Sequence, residues 1–396
     1  MFGLARIIPR YVLGELLRVF LMALACMTGL VLLFGIAREA LREGLGAAQV
    51  LQLIPYLLPD ALRFTIPGTV LFAVSIVYGR LAGTNELLAL KSLGVNPLAV
   101  LVPAYVLAFV LSLITVLLSD IAVSWGRSGV RRVVLEAIEQ IAYSRLQLNR
   151  SYSTPAFSIN VKDVQGKKLI QPVISIYDRR RKKNITINSR SAELVSDGKV
   201  LVFRCYDGRV DVQGELSYRF PDVMEHEIPL EQFYASGGSV TPSWLSLRQV
   251  RVELVKVQQD IRELEDELAF KGVTQLLAMD LGALFSKEWK TNYRERDNLY
   301  FFYHRLRTEP PRRWAGGFSC FCFALVGSGV AIRRRNATVM GSFFLCFLPI
   351  LLVYYPLLAF GLQQAKNGTL PPYVVWLGNV VMLAAGLWIL RKVLRY

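Results

Sequence analysis

Few residues in this chain of 396 have the types and spacing that catalysis requires. There are only two histidines, His226 and His304, and they lie far apart in the sequence. Neither the phosphate-binding pattern G-x-x-x-x-G-K-[ST] nor the zinc-binding pattern H-E-x-x-H occurs. Asp60 is the one acidic residue well inside an apolar segment, whereas a membrane aspartyl protease needs a pair. We therefore expect no catalytic residue, no metal site and no cofactor, so any energy-using role must draw on a partner or a gradient.

The most informative short stretch covers residues 78–97, between the apolar segments Val50–Val77 and Leu98–Leu118. Each of these segments is long enough to cross a bilayer. Asn85–Leu90 consists mostly of good helix formers, and Glu86 near the start suits the helix dipole. We predict a short helix at about 83–93 between two membrane spans, where a partner outside the membrane can push it. An ordinary loop is the alternative.

The overall composition is that of a membrane protein with a large water-facing part. Hydrophobic residues make up 53% of the chain, the mean hydropathy is +0.38 and the net charge is +16. These values exclude a single soluble domain. Four of the five cysteines lie in apolar segments, which does not suggest a disulfide framework.

Six apolar segments are predicted to span the membrane, three on each side of a long polar stretch. They are Tyr11–Ile36, Val50–Val77, Leu98–Ser119, Trp314–Ile332, Ala337–Leu362 and Tyr373–Leu390. Basic residues beside the first, fourth and sixth segments place both termini in the cytoplasm and the polar stretch outside. Asp60 and Arg63 share a helix face and are predicted to pair, with a charged headgroup or a neighbouring subunit as alternative contacts.

The polar stretch, Ser124–Arg313, has a first half with strand character. Alternating residues and recurrent Gly-containing turns predict an antiparallel sheet from Phe157 to Leu230. Asp197-Gly198 and Asp207-Gly208 are predicted to mark hairpins.

The second half of this stretch has helical character. A three-four spacing of Leu, Val and Ile predicts a helix from Ser243 to Gly272. A second helix, Val273–Thr308, should fold back on it and end before Pro310-Pro311; an intermolecular coiled coil is the alternative use of the seam. The predicted domains are thus 1–123, 124–242, 243–311 and 312–396.

Basic residues gather where the chain returns to the membrane, among them Arg307 and Arg312. They are predicted either to anchor the protein at lipid headgroups or to form a cationic collar that holds the phosphates of a polyanionic lipid. Arg38 and Arg42, just past the first span, are candidates for the same collar.

Several dispersed motifs together resemble the LptF/LptG permease family, also called YjgP/YjgQ, the membrane subunits of the lipopolysaccharide exporter. The motifs include Arg10-Tyr11 and Glu15 in the first span, and Tyr78-Gly79-Arg80-Leu81 followed by Asn85-Glu86-Leu87 and Gly94. They continue with His304-Arg305, Tyr354-Tyr355, and Leu370-Pro371-Pro372 through Trp376 and Asn379. Their order covers nearly the whole chain.

The resemblance implies an α-helical integral membrane protein of six transmembrane helices, three plus three, with an inserted periplasmic antiparallel β-jellyroll domain. It implies a second LptF/LptG-type permease, a cytoplasmic ABC ATPase dimer that does the hydrolysis, a single-span jellyroll subunit and a periplasmic bridge protein. The helix between spans two and three would dock on the ATPase through Glu86, with Asn85, Leu87 and Arg80 beside it. The cargo would be lipopolysaccharide or a similar anionic glycolipid, held by Arg38, Arg42, Arg307 and Arg312.

The added helical segment at 243–311 departs from the family pattern and suggests a specialised outer domain. Two other classes of function remain open on the sequence alone. A non-transporting membrane receptor or scaffold with a ligand-binding β domain would need no ATPase partner. A lipid-modifying enzyme would need an acid-base or metal constellation, and the scarcity of histidines and of acidic residues inside the apolar segments argues against it.

Overall fold

In a computed structural model, the protein divides into two compact units. The structure describes residues 4–43, 47–94, 96–136, 138–153, 157–178, 183–196, 200–212, 216–229, 241–279, 282, 287–333 and 339–395. The first unit comprises Met1–Val31, Leu58–Gly126 and Thr241–Tyr396, and the second comprises Leu32–Leu57 and Arg127–Val240.

Eleven α-helices run through the described residues. They are α1 Leu4–Glu43, α2 Ala47–Gly83, α3 Glu86–Ser92, α4 Pro97–Ile121, α5 Arg127–Glu136, α6 Ile138–Asn149, α7 Leu247–Leu277, α8 Lys287–Arg333, α9 Val339–Pro349, α10 Tyr355–Lys366 and α11 Leu377–Arg395. A turn of π-helix, Ile350–Tyr354, joins α9 to α10.

Six helical stretches of the described chain are long and apolar enough to cross a membrane. They are Ile7–Arg38, Val50–Gly83, Pro97–Val134, Trp289–Arg333, Phe343–Lys366 and Pro372–Leu394. The predicted three-plus-three arrangement of membrane helices is confirmed, although most stretches extend beyond their apolar parts.

The core of the first unit lies where α2, α4 and α8 meet. Leu16 of α1, Tyr78 of α2 and Leu101 of α4 are fully buried there. Several hydroxyl groups inside this helical core are hydrogen-bonded within their own helices, since water is scarce there. Thr69 and Thr115, for example, donate to carbonyl oxygens one turn earlier.

The second unit contains an eight-stranded sheet in which every described pairing is antiparallel. The strands are β1 Ser151–Ser153, β2 Phe157–Asn160, β3 Asp163–Gln165, β4 Lys168–Ile170, β5 Val173–Asp178, β6 Lys183–Ser196, β7 Val200–Val212 and β8 Leu216–Pro229. Strand β6 is central: its first half pairs with β5, its second half with β4, and its other edge with β7. The predicted antiparallel sheet is confirmed.

One predicted hairpin is wrong. Asp207-Gly208 lies in the middle of β7, where the pairing with β8 shifts register between Tyr206 and Gly208. Asp207 has a φ of 47°, so the strand bulges here instead of turning. Gly208 is required because a Cβ would lie 2.5 Å from the carbonyl oxygen of Asn188.

Helix α6 packs against one face of this sheet, although the sequence analysis predicts no helix there. Leu146 and Ala142 are fully buried in the same cluster as Phe203 and Ile187 of the strands. The hydroxyl of Tyr143 donates to the carbonyl of Lys167 (2.6 Å) and accepts from the amide of Leu194 (2.9 Å). Burial raises the pKa of Tyr143, which keeps this hydroxyl protonated and able to donate.

The added segment folds as a helical hairpin, as predicted, but with different ends. Helix α7 starts at a capping box, in which Ser246 and Gln249 bond each other's backbone amides, and it continues to Leu277 rather than ending at Gly272. Val250, Val257 and Ile261 of α7 pack against α8. The predicted heptad seam is therefore used within the chain.

Helix α8 does not end before Pro310-Pro311, contrary to the prediction. It runs through both prolines as one helix from the hairpin into the fourth apolar stretch. The prolines remove two backbone donors, which normally weakens a helix. Side-chain anchors on both sides hold it: Leu306 is fully buried against the hairpin core, and Arg313 is bonded to Asp120 of α4.

Candidate functional site

The turn between α2 and α4 presents α3 as a short, separately capped helix. Asn85 precedes it with a left-handed φ of 60°, and Gly94 follows it with a φ of 77°. The side chain of Asn96 then accepts from the amide of Leu98, and Pro97 opens α4. These turn residues reverse the chain on each side of α3, and none of the seven residues of α3 is buried.

The ends of α2 and α4 that carry α3 are bonded to each other. The hydroxyl of Tyr78 donates to the carbonyl oxygen of Val100 at 2.8 Å, and both residues are buried. The exposed helix α3 is thus carried by two helix ends that are hydrogen-bonded to each other. Such an arrangement is suited to receiving a force that acts on α3 from outside the chain.

Glu86 lies in the first turn of α3, as predicted, and is half-buried. Thr84 donates a 2.9 Å hydrogen bond to its carboxylate. Among the described residues, Thr84 is the side chain that donates to this carboxylate, and the charge of Arg80 also acts on it.

The other predicted coupling residues differ in what they contact. Asn85 is exposed and shapes the turn through its backbone. Leu87 packs inward against the core of the first unit. The exposed apolar residues of this turn are Leu88 and Leu93, 56% and 64% exposed, which the sequence prediction missed. Because α-helical neighbours point in different directions, only the packing of the inner face distinguishes Leu87 from Leu88.

Arg80 lies at the end of α2 and binds α1. Its guanidinium forms an ion pair with the carboxylate of Glu15 and donates to the hydroxyl of Tyr11 at 3.3 Å. Both partners belong to the first span, so Arg80 connects the base of α3 to α1. A separation of 65 residues between Glu15 and Arg80 hid this pairing from local pattern analysis.

A cavity of about 300 Å³ lies between α1 and α3. Tyr11 and Val12 line it from α1, Leu87 and Leu90 from α3, and Glu86 is at its rim. Side chains that line a cavity make fewer packing contacts than side chains in a filled core. The free-energy cost of shifting α3 is therefore lower.

A second cluster of charges surrounds the point where α8 passes its two prolines. The guanidinium of Arg313 is 2% exposed and lies 3.0 Å from the Asp120 carboxylate. Arg313 also donates to the carbonyl of Leu245, and Asp120 accepts from the amide of Leu247 at 2.8 Å. This network fixes the start of the hairpin to α4 and α8.

The predicted lipid ligand Arg312 is paired inside this cluster. Its guanidinium donates to Glu309 at 2.7 and 3.2 Å, and Glu309 is 3% exposed. The charges of Arg312 and Arg305 also act on Lys366, the half-buried last residue of α10, which the sequence prediction missed. Among the described residues, cationic side chains therefore outnumber carboxylates around Pro310-Pro311 of α8.

The remaining predicted lipid ligands do not all belong to the same unit of the structure. Arg307 is exposed on α8 in the first unit. Arg38 is exposed on α1 but belongs to the second unit, and the side chain of Arg42, on the same helix, lies outside the described part of the structure. The predicted pair Asp60–Arg63 is confirmed, with the carboxylate 2.5 Å from the guanidinium.

Six membrane-length helices, an antiparallel sheet inserted after the third, and an exposed helix between the second and third define a multi-span membrane protein with an inserted sheet domain. The family model described as lipopolysaccharide export system permease LptF/LptG matches residues 10–392. The chain therefore belongs to the LptF/LptG family. A comparison with curated protein sequences finds no match.

Proposed function

We propose that this chain is the permease subunit of an ABC-type lipid exporter, which extracts lipopolysaccharide or a similar anionic glycolipid from the inner membrane. The observation that carries the proposal is α3: an exposed helix with the half-buried acid Glu86, held between two spans that are bonded to each other. Family membership supports the transport role.

Energy would enter through α3 from a cytoplasmic ATPase dimer. Leu88 and Leu93 offer apolar contact area, and Glu86 offers a charge for a basic residue of that partner. Movement of α3 passes to α4 through Tyr78 and Val100, and to α1 through Arg80 and Glu15. The cavity beneath α3 leaves room for the movement.

The lipid phosphates would meet the basic residues around Pro310-Pro311, in the middle of α8, and Lys366 at the end of α10. Arg307 is exposed, and Arg312 and Lys366 are half-buried, so all three combine access with local positive charge. Arg38 and Arg42 of α1 are the further proposed ligands. Guanidinium groups suit phosphate because they donate two parallel hydrogen bonds.

In this proposal both termini are cytoplasmic and the sheet is periplasmic. A second LptF/LptG-type permease would complete the membrane pathway. The jellyroll-like sheet would receive the lipid and pass it to a single-span jellyroll subunit and a periplasmic bridge protein.

Co-purification with the ATPase tests this function. The chain is co-expressed with the ABC ATPase and partner permease encoded in its own genome, and bound ATPase is measured after affinity purification. Glu86→Lys places a cation where the partner is expected to supply one, so bound ATPase should fall roughly tenfold, the loss of one good charge-assisted contact.

Glu295→Lys is the matched control. It makes the same charge change at an exposed acid of α8, far along the chain from α3, and should leave binding unchanged. Equal binding by wild type and Glu86→Lys would contradict the coupling role. Absence of ATPase in every preparation would favour the receptor or scaffold function instead.

A further inference from the structure

A cleft of about 390 Å³ opens between α7 and α8, near the end of the first helix and the start of the second. Small-molecule sites typically begin at about 300 Å³, so the cleft is large enough for a ligand. Arg296, which lines it from α8, precedes Trp314 by 18 residues, or roughly 27 Å of helix. Because the apolar part of α8 begins at Trp314, the cleft lies well outside the membrane-spanning part.

Two aromatic rings form one wall of the cleft. The rings of Trp289 and Tyr293 belong to successive turns of α8, with 5.7 Å between their centroids and 37° between their planes. Trp289 Nε1 donates to Gln275 Oε1 of α7 at 2.6 Å, which fixes the plane of the indole. Tyr293 stays 45% exposed, because the α7 residues on the other wall include the small Ala269 and Gly272. The cleft therefore presents a preformed aromatic surface that the chain itself does not cover.

One anionic and one cationic side chain line the cleft beside these rings. Glu265 accepts from the hydroxyl of Tyr300 at 2.8 Å, and Arg296 donates to Asp297 through Nε and Nη2 at 3.3 and 2.9 Å. These bonds orient both groups, and each group has more hydrogen-bonding positions than such bonds use. The residues that line the cleft thus offer one charge of each sign.

We infer that this cleft binds one sugar ring of a glycan. A pyranose ring has a face of C–H groups that stacks on an aromatic ring, and an edge of neighbouring hydroxyl groups that donate and accept hydrogen bonds. Carboxylate and guanidinium groups match that edge, because the first only accepts and the second only donates.

The charges beside the rings disfavour other ligands. A cation would also be attracted to aromatic rings, but the guanidinium of Arg296 already lies over the ring of Tyr293, 5.0 Å from its centroid. An anion would be repelled by Glu265. A neutral ring rich in hydroxyl groups therefore fits this cleft best.

The cleft continues into a row of aromatic and basic side chains along one face of α8. The row follows steps of three or four residues through Trp289, Tyr293, Arg296, Tyr300, His304 and Arg307. The rings of Tyr300 and His304 are stacked, with 6.4 Å between their centroids. Arg307, proposed above as a ligand for lipid phosphates, lies 14 residues or roughly 21 Å of helix from Tyr293. This row favours a glycan attached to that lipid over a free sugar, and in this respect the inference rests on the proposed function.

Titration of the glycan alone tests the site. The probes are lipopolysaccharide from the protein's own organism and the oligosaccharide that mild acid hydrolysis frees from its lipid. Each is titrated by calorimetry into the purified full chain in detergent. Tyr293→Ala and Glu265→Gln should each weaken binding of the freed oligosaccharide roughly fivefold or more, the loss of one stacking or hydrogen-bonding contact.

Each of these variants has a matched control. Phe301→Ala removes a ring of α8 that is 46% exposed and does not line the cleft. Glu263→Gln repeats the acid-to-amide change at an exposed position of α7 turned by roughly 200° from Glu265. Both controls should bind the oligosaccharide as wild type does.

Filling the cleft provides a second test. Ala269→Phe places a ring in the cleft at an exposed position without removing any polar group, and should weaken binding of the oligosaccharide at least roughly tenfold. Absence of binding by wild type would overturn the inference, as would equal binding by wild type, Tyr293→Ala and Ala269→Phe.

The two probes distinguish the sources of the sugar. Weaker binding of both probes by the cleft variants would identify a lipid-linked glycan, and weaker binding of the freed oligosaccharide alone would identify a free saccharide as the ligand. The titration uses neither ATP nor the ATPase, so failure of this site and failure of the proposed transport are separate results.

Discussion

The hydroxyl of Tyr78 and the carbonyl oxygen of Val100 form a 2.8 Å hydrogen bond between the two spans that carry α3. Both residues are buried, so no water competes for the bond. The two ends of the turn are therefore held together while α3 itself buries none of its residues. In the proposed function, a push on α3 would therefore be transmitted to α2 and α4 instead of bending the turn.

Tyr78→Phe removes this bond without changing the ring. We expect a loss of stability of about 1 kcal/mol and a clear fall in lipid release per ATP hydrolysed. Tyr105→Phe is the control, because it removes a 3.0 Å bond between α4 and Ser328 of α8, away from α3. Thermal unfolding in detergent should change similarly in both variants. If coupling also falls equally in both, the special role of Tyr78 is wrong.

The pair Arg80–Glu15 is predicted to transmit movement from α3 to α1. Arg80 is exposed, so Arg80→Glu should change the unfolding free energy by no more than about 1 kcal/mol. Coupled transport should fall because like charges then face each other. The exchange Arg80→Glu with Glu15→Arg should recover transport, measured as ATP-driven lipid release. Failure to recover would show that opposite charge alone does not carry the coupling, and unchanged transport by Arg80→Glu alone would show that the ion pair is dispensable.

Arg313 is predicted to be the structural centre of the α8 junction. Arg313→Ala leaves Asp120 without its cation and Glu309 with Arg312 alone, which should cost about 1–3 kcal/mol. Arg313→Lys keeps the charge but loses the forked geometry and should cost less. Arg307→Ala, at an exposed position of the same helix, should stay within about 0.5 kcal/mol in the same unfolding assay.

Lys366 and Arg312 are predicted to bind lipid phosphates. Lys366→Ala should weaken binding of lipopolysaccharide to the purified protein several-fold, and more so at low salt, where charge interactions are least screened. Lys256→Ala, at an exposed position of α7, is the control. Equal binding by wild type and both variants would remove Lys366 from the proposed site.

The sequence was sufficient for the features that depend on local pattern. The six apolar stretches and the strands of the sheet follow from segment length and alternation, which hold whatever surrounds them. Helix α3 was predictable because Gly94, Asn96 and Pro97 separate it from its neighbours. Glu86 was identified by its place in that short helix.

What the sequence left undetermined depends on distant contacts. Pro310-Pro311 indicated a helix end, but the bond from Arg313 to Asp120, 193 residues earlier, holds the helix together. Asp207-Gly208 indicated a hairpin, yet pairing on both edges of β7 turned it into a bulge.

The candidate site shows this limit in part. The pairing of Arg312 with Glu309 is local, three residues apart on one helix face, and could have been predicted from that spacing. Lys366 was missed because α10 meets α8 only in the folded chain.

In the proposed function, an ATPase acting on α3 drives lipid out of the membrane. ATP-dependent release of lipopolysaccharide from vesicles that contain the complete complex tests this, with wild type compared with Glu86→Ala. We expect release by wild type, and at least roughly tenfold less release by Glu86→Ala from the same amount of complex. Equal release by both, or release that does not depend on ATP, would contradict it.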